Sequence, residues 1–187
     1  MAEVLLFHHA QGLTAGVSSF ADRLRTSGHV VHVPDLYGGR TFETLATGIA
    51  HAEEVGFGAL LEQGRQVAND YPTELVYVGM SLGVMPAQLL AQTRQGAQGA
   101  VLLHAAVPLD EFGPWPNGVP LQIHTMESDE WGDAEVAREL ADAVNGAEVY
   151  LYPGDRHLFT DDSLPDHDPI TAEQVIERVL TFLARVG

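Results

Sequence analysis

One serine of this chain sits where a nucleophile can be made. Gly79-Met80-Ser81-Leu82-Gly83 follows the apolar run Leu75 to Val78 and precedes the helix-like stretch Val84 to Gln92. A hydroxyl raised on a tight turn at the end of a strand requires strained backbone angles. Glycine two residues to either side removes the Cβ atoms that would otherwise close such a turn. A plain Gly-Ser turn joining strand to helix would need neither the long apolar strand before it nor the amphipathic helix after it. The pattern points to a serine nucleophile.

A serine hydroxyl attacks well only when an imidazole takes its proton, and the imidazole needs a carboxylate to fix its tautomer and stabilise its charged form. Where a nucleophile turn of this kind occurs, the partners follow in the order serine, acid, histidine. Of the nine histidines, His157 and His167 come late enough. His157 lies five residues past Tyr152, within reach of a strand end, whereas His167 between Asp166 and Asp168 reads as solvated. The acid belongs in the loop after Leu121 to Ile123, which holds Glu127, Asp129, Glu130 and Asp133. Spacing alone does not separate them. Asp129 is preferred, Asp133 and Glu127 remain candidates, and Asp133 could instead cap a helix beginning at Ala134. An oxyanion hole would use the N–H of Leu82 and a second N–H from the loop after the first strand, that of Ala10 in His8-His9-Ala10-Gln11-Gly12.

The elements that must position these groups are legible as alternating apolar runs and helix-period segments. Val4 to Phe7, Val30 to Val33, Leu75 to Val78, Ala100 to Leu103, Leu121 to Ile123 and Val149 to Tyr152 read as strands. They are continuously apolar rather than alternating, as in a parallel sheet covered by helices on both faces. The fold class is α/β. Ser19-Phe20-Ala21-Asp22 reads as a capping box before Leu24, with Gly28 ending that helix, and Thr171 to Gln174 as a second box before Val175. Phe42 to Val67 suggests two helical pieces broken near Gly56 and Gly58. Pro86 falls in the first turn of the helix after Ser81, where no intrahelical partner is lost.

With 187 residues the chain is expected to form a single domain spanning 1–187. It carries 26 acidic residues against nine arginines, no lysine, and a formal charge of −17. A polyanionic partner would be repelled, which excludes nucleic acid and disfavours an anionic membrane surface. No apolar stretch approaches the length that spans a bilayer. The first residues show no export signal, so a cytoplasmic location is expected. The absence of cysteine removes disulfides, a thiolate nucleophile and cysteine metal ligands.

Taken together, Leu6 to Gly12, Pro34-Asp35-Leu36-Tyr37-Gly38, Gly79 to Gly83 and Pro153 to Phe159, with Asp129 in register between the last two, resemble the dienelactone hydrolase family of α/β hydrolases. The resemblance covers nearly the whole chain. It implies a six-stranded, mostly parallel sheet in the order 2-1-3-4-5-6 without a cap domain, a triad of Ser81, Asp129 and His157, and Ala10 in the oxyanion hole. Two departures stand out. The name-giving enzymes carry cysteine at the position of Ser81 and glutamate at that of His9. They also carry an arginine four residues after the catalytic histidine, to hold a substrate carboxylate, where this chain has Asp161. An acid there would repel a dienelactone's carboxylate.

The expected function is therefore hydrolysis of a small ester, lactone or thioester through an acyl-enzyme, with no cofactor and no metal. His9, Tyr37, Trp115 and Phe159 are expected to contact the substrate, and Phe112 and Trp131 are further candidates for an apolar pocket wall. The expected partner is a small ester or lactone, and a homodimer is left open. Two rivals remain. A metal hydrolase would use His8, His9 and His104, although adjacent strand residues point to opposite faces. A non-catalytic binding protein would use the same scaffold for a small ligand.

Overall fold

The four central strands of the sheet are covered on both sides, so apolar residues recur at consecutive positions and sort to the two faces by parity. The computed structural model describes all of residues 1–187. In chain order the elements are β1 (Glu3–Phe7), α1 (Ala15–Thr26), β2 (Val30–His32), α2 (Leu45–Val55), α3 (Phe57–Val67), β3 (Val76–Met80), α4 (Val84–Thr93), β4 (Gly99–Leu103), β5 (Leu121–Met126), α5 (Ala134–Ala143), β6 (Glu148–Tyr152) and α6 (Pro169–Val186). The six strands form one sheet in the order β2-β1-β3-β4-β5-β6, with every pairing parallel. This is the order that the resemblance implied.

Val4, Leu6, Val76, Val78, Met80, Val101 and Leu103 face one core, closed by Val17, Phe20 and Leu24 of α1 and by Val175, Val179 and Phe182 of α6. Leu5, Phe7, Tyr77, Ala100, Leu102 and Ile123 face the other, closed by α2, α3, α4 and α5. No helix is long and apolar enough to cross a membrane.

Several boundaries differ from the expectations. Thr14, not Ser19, caps α1 by accepting from the Val17 N–H, so the helix starts a turn earlier than its apolar stripe suggests. Asp168, not Thr171, caps α6, accepting from the N–H groups of Ile170 and Thr171, with Pro169 in the first turn. The break between α2 and α3 falls at Gly56, whose φ of 91 suits glycine, while Gly58 lies inside α3. β5 runs three residues beyond its apolar run because the buried polar side chain of His124 finds partners. Its Nε2–H donates to Gln122 Oε1 and its Nδ1 accepts from the Tyr152 hydroxyl.

Three histidines, His124 within β5 and His8 and His104 just past the ends of β1 and β4, are buried and held neutral. Desolvation lowers the pKa of His8 to about 4 and that of His124 to about 3, and takes His104 well below its usual 6.5. The unfolded chain binds protons at these positions below about pH 6.5 and the folded chain does not, so stability must fall on acidification. Urea unfolding between pH 7 and 5, where most carboxylates stay ionised, should therefore show a declining unfolding free energy and an uptake approaching about three protons. A stability independent of pH over that range would contradict the assignment.

Candidate active site

The turn after β3 is built by sterics. Ser81 has φ 49, in the left-handed region, and opens a single 3-10 turn, Ser81–Gly83, between β3 and α4. A Cβ at Gly79 would lie 2.6 Å from the Val84 Cα and closer still to the Gly83 carbonyl oxygen. One at Gly83 would lie 2.7 Å from the His8 carbonyl oxygen and closer to that of Phe7. The two glycines are required by space, because backbone atoms occupy it.

At this turn the Ser81 hydroxyl lies 2.7 Å from His157 Nε2, and His157 Nδ1 lies 2.8 Å from Asp129 Oδ2. His157 and Asp129 are buried, and Ser81 is partly exposed. Asp129 is further held by the Trp131 N–H, which donates to its Oδ1 at 2.9 Å. Of the other acids in this loop, Glu127 is exposed and pairs with Arg138. Asp133 occupies the cap position of α5 in a left-handed conformation without capping it, and burial followed by the Asp129 charge raises its pKa. Geometry thus separates the candidates that spacing left together. His167 lies away on the loop before α6, where its carbonyl accepts from Arg156. A serine hydroxyl, an imidazole and a carboxylate so joined can pass a proton from oxygen to nitrogen and stabilise the resulting cation.

The loop after β1 is wired from both sides. His9 Nδ1 accepts from the Gln11 N–H at 3.2 Å, which leaves its Nε2–H to donate to Asp161 Oδ2 at 2.8 Å. Asp161 also accepts from the Thr14 hydroxyl and from the amide and hydroxyl of Ser163. Burial would raise its pKa, but these hydrogen bonds, His9 foremost, outweigh burial and draw it down to about 2. His8 Nδ1–H donates to the His9 carbonyl at 2.8 Å and its Nε2 accepts from the Leu36 N–H. The nitrogens of His8 and His9 are thus spent on protein partners, and no group of three His, Cys, Asp or Glu residues in the chain is arranged to hold a metal.

Asp161 therefore does not meet a substrate as the sequence suggested. It is 2% exposed and faces His9. Phe112 and Trp131 do line the opening beside Ser81, but Tyr37, Trp115 and Phe159 do not reach it. Tyr37 packs edge-on against His8, Phe42 and His51. Phe159 is fully buried against His104 and Tyr152. Trp115 donates to the Val119 carbonyl and lines a separate hollow with Asn117 and Asn145.

The cleft that does contain Ser81 has a volume of about 410 Å³ and lies at the carboxyl edge of the sheet. Ala10 and Leu82 are on its wall, with Ile49, Phe57 and Met85 from the helices and Val107, Phe112 and Trp131 from the loops. Glu111 and Asp133 are its charged residues; none of the arginines reaches it. Two buried glutamines of α4, unremarked in the sequence, hold the loop that forms one side. Gln88 donates to the Val107 carbonyl and accepts from the Val107 N–H, and Gln92 donates to the carbonyls of Leu109 and Gly113. Their signal was available: polar residues four apart on an otherwise apolar helix.

Strand order, the strained turn after β3 and the loops that converge on it define an α/β hydrolase. The chain belongs to the dienelactone hydrolase family, whose sequence model matches residues 1–187. Comparison with the curated proteins finds no match. Among solved structures it is similar to a protein of Klebsiella pneumoniae subsp. pneumoniae provisionally called a dienelactone hydrolase. The identity is 17% and the TM-score 0.77, covering 98% of this chain and 87% of that one. It is also similar to a dienelactone hydrolase from Anabaena variabilis, with 17% identity, TM-score 0.67 and coverage of 100% and 87%. A dienelactone hydrolase-like promiscuous phosphotriesterase from metagenomic libraries gives 16%, 0.74, 100% and 87%. At such identities the likeness speaks for the fold.

Substituting the glycines should separate space from backbone freedom. Gly83→Ala should destabilise the protein by about 1–3 kcal/mol and lower Tm by several degrees. Gly58→Ala, inside α3 with nothing near its added methyl, should raise stability by about 0.5–1 kcal/mol. Thermal melting of the two variants checks both signs.

Proposed function

We propose that the protein is a serine hydrolase that cleaves a small, uncharged ester, lactone or thioester through an acyl-enzyme. The observation that carries this is the unbroken line of hydrogen bonds from Ser81 through His157 to Asp129 beside an apolar cleft. In this reading His157 Nε2 takes the proton as Ser81 Oγ attacks the carbonyl carbon. The N–H groups of Leu82 and Ala10 receive the negative oxygen. When the tetrahedral adduct collapses, the C–O or C–S bond to the leaving group breaks and His157 returns the proton to it. Water then repeats the sequence on the acyl-enzyme, giving up a proton to His157 that ends on Ser81. Asp129 holds the imidazole with Nδ1 protonated, so Nε2 is the free base.

The wall of the cleft supports an uncharged substrate. Leu82, Met85, Phe112 and Trp131 favour an apolar group, and a carboxylate would meet Glu111 and Asp133 with no arginine to balance it. A neutral acyl compound is thus preferred to a dienelactone, on different grounds from those the sequence offered at Asp161.

Ser81→Ala should lower kcat on p-nitrophenyl butyrate by about 10⁵- to 10⁶-fold. Retention of most activity in Ser81→Ala would overturn the proposal.

A further inference from the structure

The orientation of one peptide plane decides whether Ala10 can receive an oxyanion, and that plane is fixed from within the protein. The carbonyl of the His9–Ala10 peptide is the His9 oxygen, which accepts from the Gly12 N–H at 3.0 Å and from His8 Nδ1 at 2.8 Å. In a trans peptide the N–H points opposite to the C=O. The Ala10 N–H is thereby directed away from those donors, at a residue that forms the cleft wall with Ser81. From the far side, α2 seats directly on this loop. A Cβ at Gly48 would lie 2.7 Å from the Ala10 carbonyl carbon, so only glycine permits the approach.

His9 itself is anchored by Asp161, on the same loop as His157 but four residues further along. A glycine again makes room, since a Cβ at Gly16 would overlap the Asp161 carboxylate. The pair repeats the logic of His157 and Asp129. A buried carboxylate fixes an imidazole's tautomer through one nitrogen, so that the other faces a defined partner. For His157 that partner is Ser81; for His9 it is the backbone N–H of Gln11, one residue beyond Ala10.

We propose that His9 and Asp161 are positioning residues for the reaction: a second, non-nucleophilic His–Asp pair that holds the Ala10 N–H toward the developing oxyanion and ties the oxyanion loop to the loop carrying His157. The inference rests on the hydrolase reading above. It assigns no proton transfer to either residue, and it predicts an effect on the transition state rather than on substrate binding.

His9→Asn offers a mild test. An asparagine oxygen can take the Gln11 N–H in place of Nδ1, but the side chain is too short to reach Asp161, which keeps Thr14 and Ser163. Asp161→Ala removes the anchor from the other end. The readout is the ratio of kcat/KM for p-nitrophenyl butyrate to that for its thionoester, whose sulfur is larger and a poorer acceptor and so gains less from an oxyanion hole. Both variants should lose about 10- to 100-fold in kcat with KM within about twofold, and the oxygen-over-sulfur preference should shrink by a similar factor. Asp161→Asn, which retains an acceptor for His9, should recover part of both. Leu183→Ala, a core truncation in α6 remote from the site, serves as the stability control and should leave the preference intact at a comparable loss of Tm.

A folded His9→Asn protein with unchanged kcat and unchanged oxygen preference would overturn the inference, as would a loss of kcat that leaves the preference untouched. Should Asp161→Ala fail to fold, His9→Asn and Asp161→Asn still decide. Failure of the underlying hydrolase reading looks different, because the unmodified protein would then show no turnover or Ser81→Ala would retain it.

Discussion

Two backbone turns must touch for this site to exist. The turn carrying Ser81 packs against the ends of β1 so closely that Gly83 has no room for a side chain beside the carbonyls of Phe7 and His8. Because β1 and β3 are neighbours in register, with Phe7 opposite Gly79, both turns leave the sheet at the same level. They do so at the place where successive connections diverge to the two faces, which is where open parallel sheets leave a crevice. Any side chain at position 83 would push the turn at Ser81 away from Ala10.

From that contact outward, each group is fixed by a neighbour with a different job. α4 places Ser81 through its first turn and, through Gln88 and Gln92, the far wall of the cleft. The loop after β6 contributes His157 to one turn and Asp161 to the other. Its deep burial costs desolvation, which the ionised Asp161 recovers through four donors. The histidines nearest the sheet are kept neutral by burial, so at neutral pH they act as directional hydrogen-bonding groups and not as charges.

The sequence made the strands plain, because a strand buried on both faces is apolar at every position, as in Leu5, Leu6 and Phe7. The turn at Ser81 was plain too, since its sterics demand glycine at two fixed offsets. Helix starts were less so. Thr14 is followed by Ala15 and Gly16, which give no apolar signal, and Gly16 is dictated by Asp161, far away in the sequence. The cleft wall was the least legible part. Tyr37, Trp115 and Phe159 have the right chemistry, but whether an aromatic faces the cleft depends on how helices pack across the sheet, and Ile49, Phe57 and Met85 arrive there from α2, α3 and α4. The same non-local packing turns Asp161 inward to His9 and leaves Glu111 and Asp133 at the cleft.

The most direct measurement is the site and rate of covalent labelling by a fluorophosphonate, located by peptide mass spectrometry. The account predicts one adduct per chain, on Ser81, formed at a rate that drops sharply when His157 is replaced by alanine. A folded protein that takes up no label, or labels Ser81 equally fast without His157, would contradict it.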